Sequence, residues 1–455
     1  MNMRSLKYIT AFVSLLLVWG CQNILDTQPQ QSISDKTALS TSDNVITVLH
    51  GAYDHLGDYD EYGGQLYMLP DLMAVGQEAQ WTGTYEQPGE IYRKNIAVDN
   101  SFVRDAWLNG YSTINVANNV LSALDVVDAS EQDRVEGEAK FIRAITYFQL
   151  VRLFAKDYND GDPTQNLGVP LKLDPTDVID DSDNIPRNTV QEVYDQVIQD
   201  LNDAKTKLTA HSPSYPYADT YAASAFLARV YMQQGQYAMA RDEANRVIEQ
   251  GPYSLVPNFA DAFNNSDLNT SEDIFAMQVT NQDGTNSLQI FYASQDNGGR
   301  GDIEIQQAHL NLYNSTDDRL AFFYDDGGNW RTGKWANQYG NVNVIRLAEM
   351  YLDRAECNQR LGETVGATPT EDYNAVHGRS DPSNTLAPGT ATLADILAER
   401  HIELAFEGHF LFDLKRTQGN IGGLQWDSPR LVYPIPQREI DANSNLVQNE
   451  GYGGS

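Results

Sequence analysis

The stretch DTYAASAFLARVYMQQGQYAMARDEANRVIE, residues 219–249, constrains the fold more than any other part of the chain. Apolar and small residues recur at threes and fours on both sides of Gly235, which predicts two consecutive helices. Glycine ends a helix readily because it takes the left-handed C′ conformation without a Cβ clash. Tyr237, Ala240 and Ala244 line the second helix. Alanines at that spacing let two paired helices approach closely.

The same periodicity returns along the chain. In EAKFIRAITYFQLVRLF, residues 138–154, Phe141, Ile145 and Phe148 fall on one helical stripe. In residues 189–208 the stripe is Val193, Val197, Leu201, Ala204 and Leu208, and Thr189 followed by Glu192 is a capping box. Residues 344–361 and 392–407 read as a further pair. Residues 103–127, with Trp107, Tyr111, Ile114 and Asn118, are expected to pair with a helix near 42–56. The spacing G-x-Y-x-x-A-x-x-x-A at 235–244 resembles a tetratricopeptide repeat, yet the pairs follow no fixed period. Long segments at 57–101, 155–187 and 253–343 interrupt them. These are rich in Gly, Asn, Asp, Tyr and Trp, and loops of that length in a folded protein are functional or disordered. Their aromatic content argues for order. The expected fold is mainly α: an interrupted, tetratricopeptide-like helix-pair scaffold over residues 42–455, whose irregular insertions form a ligand-binding face.

The N-terminus predicts a route out of the cytoplasm. Arg4 and Lys7 precede an apolar run at residues 8–19 that is too short to span a bilayer as a mature helix, and Gly20-Cys21 follows it. This resembles a lipoprotein signal peptide over residues 1–20, with Cys21 lipidated and residues 21–41 acting as a tether. Several acyl chains on Cys21 anchor stably where one alone binds marginally. With Cys21 so used, Cys357 is the one remaining cysteine, so a disulfide and a cysteine zinc site are both excluded. Cys357 lies on an apolar helical stripe and reads as a small buried hydrophobe. The 31 basic residues against 63 acidic ones, net −32, with no polybasic run, argue against nucleic-acid binding.

Residues 399–416, ERHIELAFEGHFLFDLKR, raise the question of metal or acid–base chemistry. Arg400, Glu403 and Glu407 fall at threes and fours, which suits intrahelical ion pairs. Leu404 and Phe406 are expected in the core, Gly408 as a helix stop, and Phe410 and Phe412 in a short extended run. His401 and His409 lie eight apart across that stop, and no zinc spacing of the H-E-x-x-H kind includes them. A structural role is therefore expected, with no metal. No nucleophile elbow, P-loop or dinucleotide glycine pattern is present, so no cofactor and no catalysis are expected. The acid-rich stretches near 159–166 and 174–184 do not match an EF-hand and read as solvated loops.

Seven phrases, taken in order, resemble the SusD/RagB family of outer-membrane lipoproteins of Bacteroidetes. They are GEAKFIRAITYFQLVRLF at 137–154, GVPL at 168–171, RNTVQEVYDQVIQDL at 187–201, the helix pair at 222–249, IRLAEMYLDRAECNQRLG at 345–362, LAERHIELAFEGHFLFDLKR at 397–416 and YPIPQREIDANSNLVQNEGY at 433–452. The resemblance implies a non-enzymatic receptor on the outer face of the outer membrane. It would capture a glycan, or in the RagB branch a peptide, and pass it to a SusC-like TonB-dependent transporter. A protein-partner adaptor without a soluble ligand is the remaining alternative.

Glycan capture needs aromatic platforms for sugar faces and planar polar groups for hydroxyls. Two insertion segments supply such residues. MLPDLMAVGQEAQWTGTYEQ offers Asp71, Gln80, Trp81 and Tyr85, and the resemblance places an acid near the binding face at Asp71. DGGNWRTGKWANQYG offers Trp330, Arg331 and Trp335, with Asn337 and Tyr339, among glycines that let a loop approach a ligand. Tyr292 is a further candidate.

Overall fold

The computed structural model describes residues 35–176, 181–266, 268–282 and 284–453. Cys21 and the signal segment lie outside these residues. Within the expected tether Asp35–Ala38 forms a helical turn, and the Thr41 side chain caps the next helix.

In chain order the main elements are α1 Ser42–Leu56, α2 Gln65–Ala74, β1 Ala79–Trp81, α3 Glu86–Tyr92, α4 Ser101–Ser122, α5 Gln132–Phe154, α6 Val190–Lys207, α7 Thr220–Gln234 and α8 Tyr237–Gln250. After these come β2 Asp273–Met277, α9 Ser287–Tyr292, β3 Ile303–Ile305, β4 Phe323–Asp326, β5 Asn329–Thr332, β6 Val342–Arg346, α10 Leu347–Leu361, α11 Pro369–His377, α12 Leu393–Glu403 and α13 Phe410–Arg416. Each long helix packs on the next along one array, α1 on α4, then α5, α6, α7, α8 and α10, and α10 carries α11 and α12. This is the mainly helical, tetratricopeptide-like scaffold. No helix among the described residues is long and apolar enough to cross a membrane.

Local chemistry sets the helix ends. The Thr189–Glu192 capping box forms at the start of α6, with the Thr189 hydroxyl accepting from the Glu192 N–H. Gly235 closes α7 at φ 70°, and α8 begins two residues later with Ala240 and Ala244 fully buried. Every residue of α7 is buried, so this helix is the spine of the array. Cys357 is buried on α10 against Met232, the inert hydrophobe its stripe indicates.

The described residues of the insertions form regular elements, in line with their aromatic content. Strands β1, β3, β5 and β4 form one antiparallel sheet, with Gln80 opposite Glu304, Ile305 opposite Trp330 and Arg331 opposite Tyr324. Gly327 and Gly328, both at positive φ, make the two-residue turn between β4 and β5. Strand β2 pairs with β6 in a second, two-stranded sheet. Helix α2, inside the first insertion, is buried at every position.

Residues 399–416 form a buried ionic core in place of the expected intrahelical pairs. Helix α12 ends at Glu403, five residues before Gly408, and α13 replaces the expected extended run. Glu403 accepts from Arg319, Arg346 and Arg379, Glu407 from Lys334 and Arg346, and Arg400 donates to Asp353 and Asp413. Carbonyls at the end of α12 and in the turn after it are taken by cations and an indole. Lys334 Nζ donates to the oxygens of Glu403 and Ala405 at 2.8 Å, and Trp335 Nε1 donates to Phe406 O at 3.0 Å. These bonds hold Phe406 at φ 64°, a region that non-glycine residues seldom occupy. Leu404 and Phe406 are in the core. Gly408, at φ 77°, lies so close to α2 that a Cβ there would sit 2.8 Å from the Tyr67 Cα.

Candidate functional site

An exposed aromatic surface is built where α1, β1 and α4 meet the loop before β3. The loop after α1 presents Tyr59, the turn after β1 presents Tyr85, and Phe102 sits in the first turn of α4. Tyr59 is 37% exposed and Tyr85 42%. The Phe102 ring bridges them, 6.3 Å from Tyr59 and 6.2 Å from Tyr85, and the Tyr59 ring lies 6.2 Å from Phe291 beneath.

Arg300 covers one side of this platform. Its guanidinium carbon sits 4.2 Å from the Tyr85 ring centre, its Nη1 reaches the Tyr85 hydroxyl at 3.3 Å, and its Nη2 reaches Thr84 Oγ1 at 3.2 Å. Asp302 fixes it by accepting from Nε at 2.7 Å. On the other side Asp60 accepts from Gln65 Nε2 at 2.7 Å and from Asn109 Nδ2 at 2.8 Å. Burial, reinforced by Asp105 and Asp58, pushes the Asp60 carboxyl up to about 6. Tyr59 also borders a cleft of about 490 Å³ whose wall includes His50, Tyr53, Tyr217, Gln278 and Thr285. His50 and Tyr217 stack there, 5.2 Å apart and 4° from parallel. Exposed rings flanked by a fixed guanidinium, a carboxyl and amides suit a ligand with alternating apolar faces and hydroxyls.

The sequence candidates divide by burial. Tyr85 and Gln80 are exposed. Trp81 is 8% exposed and lies beneath the platform, its Nε1 donating to Tyr85 O at 3.1 Å and its ring 5.9 Å from Phe291. Trp330 is 37% exposed, on β5 of the same sheet, and Tyr339 is exposed nearby in sequence.

Four candidates are corrected. Asp71 is buried on α2 and accepts from the Gly408 N–H at 2.9 Å, so it anchors two scaffold segments. Tyr292 is buried with its ring 5.7 Å from Phe406. Trp335 is buried and its indole N–H donates to Phe406 O in the turn after α12. Arg331 is buried, donating to Ile303 O at 2.8 Å and to Asp326 at 3.2 Å. Glycines in this loop suggest close ligand approach, yet Arg331 and Trp335 beside them turn inward. Tyr59, Phe102, Asp60 and Arg300 were missed. Tyr59 and Asp60 sit in the first insertion, but nothing in sequence places Arg300 beside Tyr85, 215 residues away.

Comparison with known proteins gives a consistent match. Residues 23–232 match the SusD-like family model described as "Starch-binding associating with outer membrane". The chain is 27% identical to SusD-like protein P2 of Formosa agariphila, over 98% of this chain and 100% of that one. It superimposes on a SusD superfamily protein from Bacteroides thetaiotaomicron with a TM-score of 0.80 at 25% identity, covering 90% of this chain and 99% of that one. A putative sugar binding protein from Bacteroides vulgatus gives 0.81 at 26% identity, covering 92% and 100%.

Proposed function

Because the chain belongs to the SusD-like family of the SusD/RagB type, we propose that it is a cell-surface lipoprotein that binds a glycan and delivers it to a SusC-like TonB-dependent transporter. Lipid on Cys21 would hold it to the outer membrane, with the long-helix array as scaffold. The observation that carries the reading is the exposed Tyr59–Phe102–Tyr85 platform, clamped by Arg300 and bordered by a cleft. Gln80 and Trp330 are secondary contacts in the same proposal. The protein captures and hands over; it does not cleave.

Calorimetric titration of the purified protein against soluble polysaccharides, oligosaccharides and peptide digests tests this. Heat from one glycan class, with the glycan recovered intact, supports the proposal. Heat from peptides alone moves the ligand to the RagB type, and product formation would overturn the non-enzymatic reading. Co-purification of a TonB-dependent barrel from outer membranes tests the partner.

A further inference from the structure

His401 does not meet His409, as the spacing implies, but it does meet another histidine. Glu78, in the loop before β1, places its Oε2 2.8 Å from His401 Nε2 on α12 and 2.8 Å from His309 Nδ1 on the helical turn Gln307–Leu310. The three ligand atoms all lie within 4.8 Å of one another. The residues are separated by 231 and 323 positions along the chain, so the cluster exists only in the fold.

The proton arrangement favours a cation here. The Tyr313 hydroxyl donates to Ile402 O at 3.2 Å and lies 3.1 Å from His309 Nε2. With the Tyr313 proton so used, the tautomer that satisfies the Tyr313 oxygen carries the His309 ring proton on Nε2 and turns the Nδ1 lone pair to the Glu78 carboxylate. Two acceptors then face each other unless a positive charge lies between them. His401 Nδ1 meets no hydrogen-bond partner, so no neighbour locks its tautomer, and Nε2 is free to ligate. A metal-bound histidine ordinarily donates its second ring N–H to a neighbouring oxygen, and the Tyr313 oxygen stands 3.1 Å from His309 Nε2. Glu78 and His401 keep about one-fifth of their side-chain surface exposed, and Glu78 borders a cleft of about 850 Å³, which gives an ion a way in.

We infer that Glu78, His309 and His401 form a binding site for a divalent transition-metal ion, zinc by ligand type, with a fourth position open toward the cleft. Two imidazoles and a carboxylate match three-ligand zinc sites. Ligand atoms about 2.0–2.2 Å from one tetrahedral ion stand roughly 3.3–3.5 Å apart. The 2.8 Å contacts therefore open by about half an ångström on loading. The bound ion would tie β1, the Gln307–Leu310 turn and α12 together behind the sheet.

The test uses the purified full chain, stripped with chelator and titrated with zinc chloride and cobalt chloride. The expected results are one equivalent of zinc, a higher melting temperature with zinc, and the visible d–d absorption of a low-symmetry cobalt site. His401→Gln and Glu78→Gln should each weaken zinc binding by at least about 10-fold, the loss that even an outer partner's removal brings. Featureless cobalt spectra with the wild-type protein would overturn the assignment without any variant. So would zinc binding that neither substitution changes, because the ion would then sit among surface carboxylates. Glycan titration of the same sample is independent of these outcomes, so this inference and the proposed function fail separately.

Discussion

The N–H of Gly408 donates to the Asp71 carboxylate at 2.9 Å, joining the segment after α12 to the middle of α2 across 337 residues. Gly408 has no side chain to hold the two segments apart, and Asp71 supplies the acceptor for a buried N–H. Replacing Asp71 by alanine leaves that donor unpaired, at a cost of about 1–3 kcal/mol. The expected outcome is a lower melting temperature with unchanged glycan affinity. A selective loss of affinity at constant stability would return Asp71 to the ligand site.

The platform residues should behave in the opposite way. Tyr59→Ala and Tyr85→Ala each remove a half-exposed ring, so stability changes little while glycan binding weakens by about 0.5–1.5 kcal/mol, roughly 2- to 10-fold. Trp81→Ala should lower both, because the indole is packed beneath the platform and its N–H holds Tyr85 O. Calorimetry paired with thermal melts separates the two classes. Equal melting losses for all three variants would make the surface a piece of core.

Glu403 is the acidic centre of the buried network, reached by Arg319 at 3.0 Å, by Arg346 at 2.6 Å and by Arg379. Glu403→Gln keeps the shape and leaves buried guanidiniums short of a countercharge. Breaking a buried pair costs about 3–5 kcal/mol. Denaturant unfolding should show a loss of that size, and a change near zero would mean that the arginines find other partners.

The pH dependence of stability has two limbs. Burial above all raises the carboxyls of Asp71, Asp273 and Glu138 to about 7. The folded state keeps these protons where an unfolded carboxyl, titrating near pH 4, has lost them. Their contribution is full below about pH 4 and is lost as pH rises through 7. Glu356 runs the other way. Burial pushes it up, but Arg416, Arg360 and Arg400 outweigh that and leave it at about 2. Its contribution is present above about pH 4.3 and is lost as pH falls toward 2. The melting temperature should climb from pH 8 to about pH 5 and drop below about pH 4. A profile flat from pH 5 to 8 would contradict the first limb.

Much of the scaffold was legible because its signals are local. The Thr189–Glu192 capping box and the Gly235 stop act within one turn, and the stripe through Val193, Val197 and Leu201 needs only a helical period. Residues 399–416 were legible as structural, but their partners were not. Arg400 and Glu403 have the spacing of an intrahelical pair, and burial instead turned them to Asp353 and Asp413, and to Arg319 and Arg346.

The candidate site was harder to read because ring type does not report exposure. Trp81, Trp330 and Trp335 look alike in sequence, yet they are 8%, 37% and 1% exposed. What decides is which carbonyl an indole N–H reaches, and for Trp335 that carbonyl is Phe406 O, 71 residues on. The sequence by itself determined the helices, their order and the family they resemble, because caps, stops and periodicity act between near neighbours. Only the tertiary structure decided which charges are buried, that Arg300 lies over Tyr85, and that Glu78, His309 and His401 converge. Those relations join residues from tens to hundreds of positions apart, and packing alone sets the distances between them.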